Sequence, residues 1–147
     1  MKRNVFFLSL AILASFFVSN VQAQNDHPAY LHALSDLRAA YYLIDKHIDG
    51  KLNKAEEEVG ALKHIADAIG DIKKAAVDDG KNLNDHPKVD EKTTQKDRFK
   101  EAKDFLNKAR KDIKEDEDND KAKKVRTNAI KLIDEALRLI NKIIENK

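Results

Sequence analysis

The stretch that most constrains this chain is Val125 to Ile144, VRTNAIKLIDEALRLINKII. Its apolar residues fall at Ile130, Ile133, Leu137, Ile140 and Ile144, at spacings of three and four. A second row, Ala129, Leu132, Ala136, Leu139 and Ile143, lies beside the first. So wide a stripe exceeds the seam of a two-stranded coil and fits a helix sunk into a bundle. The rest of the chain must cover it.

The first residues carry the marks of export. Lys2 and Arg3 form a basic start, and Val5 to Val18 is a largely apolar run too short for a comfortable membrane span. Val21-Gln22-Ala23 has the small-residue pattern of a signal-peptidase site. Residues 1–23 are therefore expected to be a cleaved signal peptide. Residues 24–147 are then the domain, periplasmic or secreted, with no membrane span of its own. No Cys follows the apolar run, so a lipid anchor on cysteine is excluded.

Loss of residues 1–23 removes Lys2 and Arg3, which takes the 28 Lys and Arg to 26, against 26 Asp and Glu. A neutral, mixed surface argues against nucleic acid as the partner. The absence of Cys rules out disulfides, thiol catalysis, covalent haem and thiolate metal sites. An exported fold without disulfides must be held by its core.

Four helices are expected. Pro28 suits a first helical position, and helix one runs to about Asp49 with Tyr30, Leu34, Leu37, Tyr41, Ile44 and Ile48 as its stripe, closed by Gly50. Helix two opens near Asn53 with Glu56 as a capping pair. Its stripe is Leu62, Ile65, Ile69, Ile72 and Ala76, and Gly80 closes it. Gly60 and Gly70 inside it imply close approach to a neighbouring helix. Lys81 to Asp90 is the longest connection. Helix three starts near Thr93 or Thr94, with Thr94 and Asp97 as the cap. Phe99, Ala102, Leu106, Ala109 and Ile113 are its stripe, with Phe105 beside it. Helix four follows the Glu115–Asn119 turn. Long helices on short connections favour an all-α, antiparallel up-down-up-down four-helix bundle.

The chain also reads as a duplicated hairpin. Asn25-Asp26-His27-Pro28 recurs letter for letter as Asn84-Asp85-His86-Pro87. Ala61-Leu62-Lys63-His64-Ile65 is matched by Ala129-Ile130-Lys131-Leu132-Ile133.

The segments HPAYLHALSDLRAA from His27, AVDDGKNLNDHP from Ala76 and EDEDN from Glu115 resemble a family of small exported bacterial four-helix proteins of uncharacterised function. The resemblance spans nearly all of residues 24–147. It implies a bacterial origin and a periplasmic or secreted location, and it supplies no activity or site residues. The chain is more distantly similar to small His-rich metal-binding bundle proteins, whose regular His spacing it lacks.

Several chemistries are excluded by the residues. Glu-x-x-His pairs for a di-iron centre are absent. Asp116-x-Asp118-x-Asp120 opens like a calcium loop, but Lys121 and Thr127 stand where that loop needs Gly and Glu. An acidic cap for helix four explains these residues better. His64 reads as a half-buried packing residue, His47 as a cation near a helix end, and Tyr41-Tyr42 as an edge packing pair.

One arrangement points to a site. In an up-down-up-down bundle, the start of helix one, the end of helix two and the second connection share a pole. That pole gathers His27, His32, Asp36, Asp78, Asp79, Asp85 and His86. His27, His32 and His86, with oxygen from Asp36, Asp78 or Asp79, suit copper, nickel or zinc. The alternative is that each Asn-Asp-His-Pro turns the chain and that Lys74 or Lys81 pairs with the aspartates. With no nucleophile–base pair in the sequence, the expected role is a non-enzymatic binding or structural one. The partner would be an envelope protein or a small ligand, with no cofactor required; transition-metal binding is the second expectation.

Overall fold

The computed structural model describes residues 28–46, 55–75, 79–89, 94–115 and 120–146. Four helices occupy them, α1 (Pro28–Asp45), α2 (Glu56–Ala75), α3 (Gln95–Glu115) and α4 (Asp120–Glu145), and the described residues contain no strand. They pack as a four-helix bundle. No helix among the described residues is long and apolar enough to cross a membrane.

Local chemistry places the helix starts. Thr94 Oγ1 accepts from the Asp97 amide at 3.2 Å and donates to Asp97 Oδ2 at 2.7 Å. This cap satisfies one orphan amide of the first turn of α3 and puts an acidic group where the helix dipole favours it. Three glutamates, Glu56 to Glu58, do the same electrostatic work in the first turn of α2. The Asn53 cap, Gly50, Ile48 and Ala76 lie outside the described residues, as do residues 1–23 and the acidic run 116–119.

The expected stripes form the core. Leu34, Leu37, Ile65, Ile72, Leu106, Ile113, Ile133 and Ile140 are fully buried. On α4 the buried seam draws on both expected rows: Ala129, Ile133, Ala136, Ile140 and Ile143 at four-three spacing, with Leu137 buried beside them. Ile130, Leu132, Leu139 and Ile144 flank it, partly buried. Gly60 fulfils its expected purpose, since a Cβ there would stand 2.9 Å from Leu139 Cδ1. Gly70 does not, because nothing lies within 4 Å of that position.

The order of helices around the bundle differs from the consecutive ring expected. α1 packs chiefly on α3, and α2 on α4; α1 also touches α2, and α3 touches α4. No contact joins α2 with α3 or α1 with α4 among the described residues, so those pairs are diagonal. Numbers run opposite ways across the main pairs. Glu57 meets Lys142, Gly60 meets Leu139 and Asp71 meets Asn128 between α2 and α4. Between α1 and α3, Arg98 donates to the Lys46 carbonyl, while Asp36 lies in the field of Asp112 and Lys108. The start of α3 is therefore beside the end of α1. The connection from α2 must travel the length of the bundle to reach it, in the manner of bundles with one long crossover.

That connection covers α1. Leu83 and Val89 pack on the core from outside. α1 is buried on more sides than its stripe foretold, with Ala33, Ala39, Ala40 and Leu43 fully enclosed.

Candidate functional site

The crossover is anchored on α1 by a buried ion pair. Arg38 Nη1 donates to Asp79 Oδ2 at 2.8 Å and Nη2 to Asp79 Oδ1 at 2.7 Å, a planar two-point grip. The side chains are 1% and 10% exposed. Arg38 Nη2 also reaches the Lys81 carbonyl at 3.4 Å, and Lys73 Nζ donates to the same carbonyl at 2.6 Å. Lys73 stands 3.7 Å from Asp79 as well. Gly80, with φ of +68°, supplies the left-handed turn that brings the Lys81 amide back onto Asp79 Oδ1 at 3.2 Å. Burial alone would raise the Asp79 carboxyl. The bonds from Arg38 and Lys81 and the charges of Arg38 and Lys73 outweigh it and hold the carboxyl below its ordinary value.

Further along, Asp85 Oδ2 accepts from the Asn82 amide at 2.8 Å, and Asn82 Oδ1 accepts from the Asn84 amide at 2.8 Å. These bonds close a turn. His86 then stacks on Tyr42, ring centres 3.8 Å apart, with Nδ1 2.8 Å from the Pro87 carbonyl. Lys46 donates to the Tyr42 hydroxyl at 2.9 Å.

These positions separate the groups that the sequence placed at one pole. His86 sits against Tyr42, ten residues past His32 on α1, which is about 15 Å of helix rise. His32 is exposed near the start of α1. Asp36, one turn on, is half-buried; burial first and then Asp112 raise its carboxyl, against the lowering charges of Lys108 and His32. Asp79 is taken by Arg38. His27 and Asp78 lie outside the described residues. Among the described residues no three of His, Cys, Asp and Glu are placed to hold a metal ion. The second Asn-Asp-His-Pro serves as a turn, the role weighed against the site. The charged partners of Asp79 are Arg38 and Lys73, where Lys74 or Lys81 was expected; Lys81 reaches Asp79 through its backbone amide.

Arg38 is the residue that sequence reasoning passed over. Its signal was there: it stands four residues after Leu34, on the face that the apolar period assigns to the core. A charge in such a register requires a partner. Arg98, four residues before Ala102, is the same case. It is 2% exposed and donates to the carbonyl of Lys46, the residue that follows α1, where a cation complements the helix dipole.

A second feature is a surface trough of about 660 Å³ between the later part of α2 and the first turns of α4. Asp71 forms one wall, Val125, Thr127 and Asn128 the other, with Lys123, Lys124 and Lys131 around them. Asp71 and Asn128 are hydrogen-bonded across it. A smaller depression of about 330 Å³ continues from the same two residues past Asp67 and Gly70 to Lys74 and Leu132.

No family model, curated protein or solved structure matches this chain.

Proposed function

We propose that this protein is an exported, non-enzymatic binding or structural protein of the bacterial envelope, one of the small four-helix proteins its segments resemble. The observation that supports this most is the Arg38–Asp79 grip. The polar groups gathered at the crossover are engaged in fixing the chain, with Asp79 on Arg38, Asp85 in a turn and His86 on Tyr42. A bundle whose buried charges secure a connection in this way presents its surface, and the surface is where a partner would act.

Export is tested by fractionating cells and measuring the intact mass of the native protein. The expected species begins at Gln24 and leaves with the periplasm or the medium. A membrane-bound species that retains residues 1–23 would make the protein an anchored one. Transition-metal binding by His27, His32 and His86 rests on residue types alone, and no geometry among the described residues favours it.

A further inference from the structure

We propose that this protein exchanges hairpins with a second copy of itself. The product is a dimer of two bundles, in which α1–α2 of each chain packs on α3–α4 of the other. Neither export nor the identity of an envelope partner enters into this association.

Each hairpin is built to meet its own likeness. Tyr30, Ala33, Leu37, Ala40 and Ile44, all buried on α1, recur 69 residues later as Phe99, Ala102, Leu106, Ala109 and Ile113, all buried on α3. Ala61, Ile65, Ala68 and Ile72 of α2 recur 68 residues later, letter for letter, as Ala129, Ile133, Ala136 and Ile140 of α4. The buried faces of the two hairpins are therefore one pattern used twice. Like also packs on like. α1 lies chiefly on α3 and α2 chiefly on α4, with numbers running opposite ways across both pairs. α1 touches α2 as α3 touches α4, and neither diagonal pair meets among the described residues. Equivalent helices that meet in opposite directions across each main contact make an isologous two-fold pair, here joined in one chain.

Three features direct that face to a second copy. The first is where the burial lies. The main helix contacts run between the hairpins and only the lesser ones within them, so a hairpin cannot bury its face alone. The second is supply. Another molecule of this chain offers the same hairpin, and every α1–α3 and α2–α4 contact is recovered when it does so. The third is the crossover, which holds to one hairpin only. Asp79 is gripped by Arg38, the Lys81 carbonyl by Lys73, and His86 stacks on Tyr42. Arg38, Lys73 and Tyr42 all belong to α1 and α2. These anchors survive an exchange, and only the chain beyond Pro87 has to take a new course. With the packing conserved, protein concentration sets the share of dimer.

The test uses residues 24–147 carrying Glu57→Cys/Lys142→Cys. The native pair joins α2 to α4 across the two hairpins, both side chains are partly exposed, and the chain has no Cys of its own. A short bis-maleimide across the two thiols therefore records which hairpins face each other. The protein is refolded from urea at millimolar concentration, separated by size, linked, and run on a denaturing gel. In the monomer fraction the link stays within one chain and the mass is unchanged. A dimer fraction is expected that grows with refolding concentration, and there the link should join two chains and double the mass. Absence of any dimer overturns the proposal. A dimer whose linked chains keep the single mass overturns it in favour of closed bundles that associate side by side. None of these results bears on where the chain is exported, so the envelope assignment fails or stands by the mass measurement on the native protein alone.

Discussion

Arg38 and Asp79 are 41 residues apart in the chain, and two parallel hydrogen bonds of 2.8 and 2.7 Å join them. This one pair decides where the crossover begins its path along α1. Nearly all of the arginine is out of water, so its charge depends on compensation by Asp79.

Loss of one partner should therefore cost far more than loss of both. Arg38→Ala leaves a mostly buried carboxylate with only the Lys81 amide and the more distant Lys73 charge, and opens a gap beneath the connection. It is expected to lower unfolding stability by about 3 kcal/mol. The pair replaced as Arg38→Met/Asp79→Leu should lose no more than about 1 kcal/mol, since apolar groups of similar volume avoid the desolvation cost. Urea denaturation of the three proteins measures both. A double variant as weak as Arg38→Ala would show that the pair does more than neutralise itself.

The same pair sets an acid limit. The folded Asp79 carboxyl lies below its unfolded value, so its contribution is fully present above the ordinary aspartate range. It is lost as pH falls through the depressed folded value, which places the loss below about pH 4. The stability gap between wild type and Asp79→Asn should be constant from pH 7 to 5 and should close under stronger acid. Melts at stepped pH show the gap directly; a gap that widens on acidification contradicts the pairing.

The two glycines of α2 should respond differently to alanine. At Gly70 there is open space, so Gly70→Ala should gain about 1 kcal/mol from helix propensity alone. At Gly60 the new Cβ meets Leu139 Cδ1 at 2.9 Å, and that side chain must swing away. Most of the same gain, about 1 kcal/mol, should be offset there. Paired denaturation curves decide it, and equal gains at both sites would mean that Gly60 is not a packing glycine.

Copper and zinc provide a check on the histidines. His86 stacks on Tyr42, about 15 Å of helix rise from His32, and no metal-holding group forms among the described residues. Titration into chelator-treated protein should therefore give the same result for wild type and for His32→Ala/His86→Ala. A site present in wild type and missing from the double variant would restore the metal reading.

The sequence alone determined the elements. Four apolar stripes at helical spacing, Pro28 at a helix start and the Thr94–Asp97 cap settle where helices run and which faces they bury, because these are local properties of consecutive residues. The seam of α4 shows the limit of that reading. Two adjacent rows are equally apolar, and only the packing of α2 and α3 on α4 selects Ala129, Ile133, Ala136, Leu137, Ile140 and Ile143 as the buried set. Tertiary structure alone decided the order around the bundle. Periodicity reports the direction of a buried face and carries no name for the helix that covers it. A connection of nearly twenty residues, at up to roughly 3.3 Å each, can return to a neighbouring start or run the full length of the bundle. The chain takes the second path, with Leu83 and Val89 on the core and Asp79 in the grip of Arg38. That path carries His86 to Tyr42 and away from His32, so the pole drawn from consecutive neighbours does not assemble among the described residues.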